Sequence, residues 1–282
     1  MGDWNYTVVI PAYNEEKRIE YALKRFVGIA HILVVDKNGS DRTVEISKNY
    51  GARIINIPPH TGSDALRNWY KTVFETAETD YVLLLMLSQT HTPELLDLYH
   101  TIAKEGRYKA VIAYQAAHSY GSRVNAWRAP FERQKQPIFM FFDKNFVDAS
   151  KGVIHNEYPF VGKPEQIYYP PKAIKYCIKA FRDDDASSND EKHIRYGNLE
   201  ALHRFEAGER TSGLKILAMF IWQFFLSYFR RGSILQGAPG LITSLWYACY
   251  LGNVQIRLWE LQNGWTREKI MKTHQRMKEA IK

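Results

Sequence analysis

Four short apolar segments, at 7–10, 31–36, 52–57 and 81–88, divide the first ninety residues. Between them, apolar residues recur at helical spacing, as Ile19, Leu23 and Phe26 do after the first segment. Strands that alternate with short helices are typical of a parallel sheet with helices on its faces. The pattern therefore predicts an α/β fold.

Polar residues follow the first two apolar segments directly. Asn14 and Glu15 come after the first, and Asp36 and Asp41 end or follow the second. Ligands in such sheets bind at the carboxyl ends of the strands, which makes these side chains candidates for a binding site. Asn14 and Glu15 have an alternative role, because asparagine is a good N-cap and glutamate favours the first turn of a helix ending near Gly28.

Composition changes this picture in two respects. A net charge of +8 indicates an anionic partner such as a phosphate or an acidic membrane surface. Because the basic residues are scattered and no recognition motif is present, we do not predict nucleic-acid binding. Cys177 and Cys249 are far apart and lack metal-ligand spacing, and the N-terminus resembles no secretory signal, so we expect a reducing, cytoplasmic compartment.

Several spaced blocks carry a family resemblance: VVIPAYNEEKRIEYAL, ILVVDKNGSDRTVEISKNYGARI, GSDALRN and TDYVLLLMLSQTHTPELL. Together they resemble the donor-binding half of a family 2 glycosyltransferase, and more narrowly the lipopolysaccharide-core glucosyltransferase branch. The resemblance implies a GT-A fold, a Rossmann-like mixed and mostly parallel sheet flanked by helices. We place this catalytic domain at 1–205 and a C-terminal helical segment at 206–282.

The same resemblance implies a donor site at the strand ends. Asp36 would accept a hydrogen bond from the base, since a carboxylate accepts from N–H and hydroxyl donors. Asp41 would shape the same loop, and Arg67 would meet the diphosphate, with a solvated helix face as its alternative role. The implied nucleotide-sugar-binding residues are Ala12, Tyr13, Glu15, Asp36, Asp41, Arg67, Asn68 and Ser88.

The chain departs from the family where an acidic triplet usually holds a divalent metal. The corresponding residues are Met86, Leu87 and Ser88, followed by Gln89. Methionine does not ligate a hard cation, and a serine hydroxyl is a weak neutral ligand. We therefore predict no metal site of the usual kind.

Three interpretations of this loss stay open. The enzyme is metal-independent, with positive charge from Arg67, Lys37, Arg42 or His91. Alternatively, Mg or Mn is recruited through His91 and Gln89. In the third, the protein binds a nucleotide or glycan without transferring a sugar.

The resemblance also implies an inverting reaction, which needs one general base. In KGVIHNEYPF we choose Glu157 as the base and place His155 next to the diphosphate or the acceptor. Related proteins have the two residues adjacent, whereas Asn156 separates them here, so either one is displaced. A structural role for His155 is the alternative.

The last quarter of the chain is rich in apolar and aromatic residues. The run at 214–229 has 16 residues, short of the roughly 20 that span a bilayer, and we expect Pro239, Gly240 and Gly252 to interrupt the next run. With Arg230 and Arg231, these runs suit helices in a membrane interface over 214–259, on the inner face of a membrane. The alternative is a buried helical hairpin or an oligomer interface.

These observations lead to one functional prediction. The protein moves a sugar from a nucleotide-sugar donor, with a UDP-sugar favoured, to a glycan or lipid-linked acceptor in cell-surface polysaccharide synthesis.

Overall fold

The computed structural model describes residues 4–58, 63–112, 114–119, 122–123, 139–151, 159–183 and 186–281. The chain forms two compact units, Met1–Arg182 and Asp183–Lys282. The helix at 186–206 belongs to the second unit, so the units divide before this helix, whereas the sequence places a domain boundary after it.

A seven-stranded sheet forms the centre of the first unit. Its strands, in spatial order, are β10 (Ile167–Tyr168), β6 (Ala110–Ile112), β9 (Phe139–Asp143), β4 (Tyr81–Leu84), β1 (Tyr6–Ala12), β2 (His31–Asp36) and β3 (Arg53–Asn56). The strands β4, β1, β2 and β3 are parallel, as the alternating pattern predicts. β2 is apolar along almost its whole length because helices cover both faces of the sheet.

The antiparallel strand β9 makes the sheet mixed. It lies between β4 and β6 and pairs with both of them, placing Phe141 opposite Leu83 and Val111. All five residues of β9 are buried. The fold class is therefore the predicted α/β class, a mixed and mostly parallel sheet flanked by helices.

Four helices connect the strands of the first half. They are α1 (Ile19–Phe26), α2 (Thr43–Asn49), α3 (Ser63–Thr76) and α4 (Pro93–Glu105). The predicted start of α1 after Asn14 is wrong, because Asn14 has a φ of 53°, outside the extended region that an N-cap needs. The helix begins at Ile19, and Asn14 has a different role described below.

Aromatic rings fasten α4 to the sheet. The ring of Tyr99 on α4 stacks on Phe141 with centroids 4.3 Å apart, and Tyr81 stacks on the same phenylalanine at 5.5 Å. Tyr6 meets Phe141 edge-on at 5.6 Å. Such ring pairs add stability beyond the apolar area they bury. Phe141 therefore joins β1, β4, β9 and α4.

A smaller four-stranded sheet follows the end of β4. It contains β5 (Gln89–His91), β11 (Cys177–Asp183), β7 (Tyr114–Ser119) and β8 (Ser122–Arg123), in that order. β5 pairs antiparallel with β11, and His91 lies opposite Ile178. The chain that leaves β4 thus enters the second sheet after the four residues 85–88.

The second unit consists of helices: α5 (Ala186–Glu206), α6 (Gly213–Phe225), α7 (Gly237–Gln262) and α8 (Arg267–Ala280). One π-helical turn, Leu226–Arg230, continues α6. The interruption predicted in the second apolar run is wrong: α7 runs through Gly252, and Pro239 lies in its first turn, where proline is tolerated. No helix among the described residues has both the length and the apolar character to cross a membrane.

Gly240 allows a close approach at the start of α7. A methyl group placed on this glycine would lie 1.9 Å from the carbonyl oxygen of Ser233. We expect Gly240→Ala to lower the free energy of unfolding by about 1–3 kcal/mol, since the backbone must move to admit the methyl group. Urea unfolding followed by circular dichroism measures the change.

Gly213→Ala is the matched control, because a methyl group on Gly213 meets no atom within 4 Å. Equal stability of Gly240→Ala and the wild type would contradict this account of the turn.

Candidate active site

The ends of β1 and β2 bring a small residue beside an acidic one. Ala12 lies opposite Asp36 in the parallel register, and the backbone N–H of Lys37 donates to the carbonyl of Ala12 at 2.9 Å. Both Ala12 and Asp36 are buried, whereas the next residue, Tyr13, is 52% exposed. The carboxyl end of the sheet thus has a buried acid beside an exposed aromatic ring.

The carboxylate of Asp36 is held by two neighbours. Its Oδ1 accepts from the backbone N–H of Gly39 at 3.1 Å, and its Oδ2 accepts from the side-chain amide of Asn56 at 3.1 Å. An ionised carboxylate has about four acceptor positions, so capacity remains for a donor of a ligand. Because the side chain is only 3% exposed, such a bond would form in a low-dielectric setting that strengthens it.

A set of hydrogen bonds between residues 14–16 and 40–43, here called the loop clamp, joins the two loops beyond these strands. Asn14 Oδ1 accepts from Ser40 N at 2.8 Å, and Asp41 Oδ2 accepts from Glu16 N at 2.9 Å. Glu15 N donates to Thr43 Oγ1 at 2.8 Å. The two loops are therefore fixed relative to each other.

Asp41 lies inside the loop clamp. Partial burial raises the pKa of Asp41, but the hydroxyl of Thr43 and the amides of Glu16 and Thr43 outweigh it and hold the pKa below its usual value. The carboxylate of Glu15 pairs with Arg18 at 2.8 Å. Asp41 and Glu15 thus support the loops through contacts inside the protein.

Gly39 leaves little room for a side chain where the two loops meet. A methyl group on Gly39 would lie 3.1 Å from the backbone nitrogen of Asn14 and 3.2 Å from Asp36 Oδ1. The preceding residue, Asn38, has a φ of 62°, a conformation that asparagine tolerates better than most residues. Gly39 and Asn56 are site residues that sequence reasoning missed. In the sequence, the only indication that Asn56 belongs to the site is its position at the end of a predicted strand.

Basic side chains occur in the loop after β2 and on α3, which carry Lys37 and Arg67 respectively. Lys37 Nζ lies 5.9 Å from the ring centroid of the buried Trp69, two residues after Arg67. Arg67 is partly buried, and Asn68 is exposed. Arg42 is turned toward Glu45, with bonds of 3.1 and 3.0 Å, and is largely exposed.

The segment from 85 to 91, after β4, contains no carboxylate that could hold a divalent metal. Leu85 N continues the sheet by donating to Val9 O at 2.9 Å, and Met86 and Leu87 pack partly buried against the core. The backbone oxygen of Ser88 accepts from Phe181 N at 2.7 Å. In the ranges given above, no three His, Cys, Asp or Glu side chains are grouped as metal ligands. The residues present do not fit the metal that the family usually holds.

His91 is buried and uncharged. Burial, with a smaller effect from Arg25, lowers its pKa to about 3, and neither ring nitrogen makes a hydrogen bond within the described protein. The Arg25 guanidinium donates to the His91 carbonyl at 2.8 Å, and the imidazole meets Tyr99 edge-on at 5.7 Å. The interpretation in which His91 supplies positive charge is therefore wrong.

His155 and Glu157 lie outside the described residues. Of the predicted donor-site residues, Ala12, Tyr13, Glu15, Asp36 and Asp41 are brought together by β1, β2 and the loop clamp.

The chain is an α/β protein with a candidate ligand site at the carboxyl ends of parallel strands. Residues 7–159, more than half of the chain, match the family model for glycosyl transferase family 2, and the chain belongs to that family. It is a glycosyltransferase, an enzyme that transfers sugar from a nucleotide-sugar donor.

Related proteins agree with this assignment. The chain is 24% identical over 270 residues to an uncharacterized glycosyltransferase of Rickettsia bellii, covering 92% of this chain and 89% of the relative. Protein RfbJ of Shigella flexneri is 27% identical over 101 residues, which cover 33% of this chain and 75% of RfbJ.

Solved structures show a more distant likeness. A mannosyltransferase of Pyrobaculum calidifontis, in complex with GDP-Man and Mn2+, has a TM-score of 0.49 and 12% identity, covering 90% of this chain and 86% of that one. Glucosyl-3-phosphoglycerate synthase of Mycobacterium tuberculosis, in complex with phosphoglyceric acid, has a TM-score of 0.44 and 16% identity, covering 75% and 82%.

The buried, neutral state of His91 predicts a pH-dependent stability. As pH falls below about 6.5, the unfolded chain protonates this histidine while the folded protein does not until about pH 3. The contribution of neutral His91 to the free energy of unfolding is therefore fully present above pH 6.5. Below pH 6.5 it decreases by up to about 1.4 kcal/mol per pH unit. Unfolding free energies at pH 7.5 and 5.5 should differ less in His91→Phe than in the wild type.

The matched control is His100→Phe, which removes an exposed histidine from α4. An identical loss of stability in wild type and His91→Phe would show that His91 does not contribute to the pH dependence.

Proposed function

We propose that this glycosyltransferase binds a UDP-sugar at the ends of β1 and β2 and transfers the sugar, with inversion, to a glycan or lipid-linked acceptor. The pathway we propose is the synthesis of a cell-surface polysaccharide such as lipopolysaccharide. One observation carries the donor site: the carboxylate of Asp36 is buried beside Ala12, is oriented by Gly39 and Asn56, and retains acceptor capacity.

The base of the donor fits this end of the sheet chemically. Uracil has a ring N–H that a carboxylate accepts, and Asp36 Oδ1 and Oδ2 each have one described partner. Ala12 has no side chain long enough to block the base, and the exposed ring of Tyr13 offers a face for stacking. Glu15 and Asp41 keep the surrounding loops in position.

The leaving diphosphate accumulates negative charge that the enzyme must stabilise. Since the residues after β4 do not fit a divalent cation, we assign this task to Lys37 and Arg67, with Asn68 as a polar neighbour. The contact of Lys37 with Trp69 supports the assignment because it places the ammonium close to the helix that carries Arg67. The reaction is then independent of metal, and Ser88 is at most a neutral contact of the donor.

For the acceptor, Glu157 is the proposed general base, which takes the proton from the attacking hydroxyl, and His155 lies beside the diphosphate or the acceptor. An inverting transfer needs only one such base.

We further propose that residues 214–259 attach the protein peripherally to the inner face of a membrane. Leu214, Trp222, Phe225 and Phe229 are half-exposed or more. The stretch 210–259 contains five basic residues and no acidic residue, which favours an anionic lipid surface.

The donor site is tested by calorimetric titration with UDP. We expect the wild type to bind UDP equally with and without EDTA, and Asp36→Ala to weaken binding by roughly tenfold or more, because a charged hydrogen bond is lost. Asp97→Ala, which removes an exposed carboxylate from α4, is the control and should bind as the wild type does. Unchanged affinity in a correctly folded Asp36→Ala protein would reject the site.

The charge assignment is tested by Lys37→Met. We expect UDP to bind roughly tenfold more weakly, while uridine, which lacks the diphosphate, binds as before. Arg42→Met removes a basic side chain paired with Glu45 and is the matched control. UDP binding or sugar transfer that depends on added Mn2+ would argue against Lys37 in this role.

A further inference from the structure

An open apolar groove of about 450 Å3 runs between α6 and α7. Its walls are mainly apolar side chains, among them Ile216, Leu217 and Phe220 from α6, with Cys249, Gly252 and Ile256 from α7. A volume of this size lies in the range of small-ligand pockets. The groove therefore suits a small apolar ligand.

The groove is elongated along the two helices. Its lining residues extend from 213 to 220 on α6 and from 249 to 256 on α7, about two turns and roughly 10 Å on each helix. Gly252 allows α7 to approach Phe220 of α6 closely, because a methyl group at this position would lie 3.3 Å from Phe220 Cδ2. A narrow apolar channel of this length matches an extended hydrocarbon chain better than a compact ligand.

The surroundings of the groove favour an anionic amphiphile. Leu217 and Ile256, which line it, are exposed to solvent, as is the neighbouring Leu214. Residues 210–259 contain five basic and no acidic side chains, and Lys215 lies one position before Ile216, so the segment carries a net positive charge that favours a negatively charged headgroup, although Glu209 and Glu260 flank it.

We propose that the α6–α7 groove binds one acyl chain of an anionic membrane phospholipid. The proposal deepens, and rests on, the membrane association in the proposed function. It assigns a defined binding site to a lipid chain, in addition to a general attraction of exposed apolar side chains to the bilayer.

Cys249 provides a reporter inside the groove. Its thiol is partly exposed, whereas the other cysteine, Cys177, is fully buried in the first unit. The full-length protein is titrated with short-chain phosphatidylglycerol below its critical micelle concentration, and the rate of thiol modification by dithionitrobenzoate is measured. We expect modification to slow by on the order of tenfold at saturation, and longer chains to protect at lower concentrations. Glycerophosphoglycerol, the headgroup without chains, should give no protection.

A variant with a larger side chain in the groove tests whether the lipid binds there. Gly213→Phe adds a side chain at the end of the groove, at a position where the new Cβ meets no atom within 4 Å. It should lose the lipid protection of Cys249. Leu235→Phe, a change at an exposed residue outside the groove, is the matched control and should keep that protection.

Sedimentation with phosphatidylglycerol vesicles separates the two proposals. Vesicle binding without chain-dependent protection of Cys249 would overturn the groove and leave membrane association standing. Protection by monomeric lipid without vesicle binding would support the groove and reject membrane association. Protection that grows with protein concentration in the absence of lipid would overturn the lipid proposal, because a second copy of the chain would then cover the groove.

Discussion

The site depends on hydrogen bonds that tie one loop to the next at the carboxyl end of the sheet. β1 and β2 bring their ends together through the backbone ladder, but the loops beyond them have no ladder to fix them. The loop clamp supplies this connection, with side-chain oxygens of Asn14, Asp41 and Thr43 accepting backbone N–H groups of the other loop. Gly39 lies close to Asn14 and Asp36, where a methyl group would make tight contacts of 3.1 to 3.2 Å. The carboxylate of Asp36 is thus oriented before any ligand arrives, which lowers the entropic cost of binding.

Apolar side chains follow β4, where the family resemblance leads us to expect carboxylates. Met86 and Leu87 continue the packing of the sheet against its core, and β5 then pairs with β11. Carboxylates at these positions would be partly buried, and without a cation their mutual repulsion would be costly. The apolar side chains of Met86 and Leu87 avoid this electrostatic repulsion. In the proposed metal-independent reaction, the positive charge at the diphosphate comes from side chains near this end of the sheet, and Lys37 beside Trp69 is our candidate.

The parallel half of the fold could be predicted from sequence because its signals are local. Continuous apolar runs such as 31–36, followed by amphipathic segments, identify β1 to β4 and their connecting helices. Asn14 was assigned to the wrong role because an N-cap and a left-handed loop residue favour the same amino acid. Asn56 escaped notice because its contact with Asp36 depends on the register of β3, which sequence spacing does not specify. The neutral state of His91 likewise comes from tertiary burial and could not be read from its neighbours in sequence.

The position of β9 has a consequence for how the first unit is assembled. β9 is the last of the central strands in chain order, yet it lies between β4 and β6 and pairs with both. Until residues 139–143 leave the ribosome, one edge of β4 has no partner strand, although all four residues of β4 are buried in the folded protein. Tyr99 likewise lacks Phe141, the ring on which it stacks. Open apolar edges of this kind invite pairing with other chains. The sheet therefore closes late and through non-local contacts, which slow folding and lengthen the time in which the nascent chain exposes an unpaired edge.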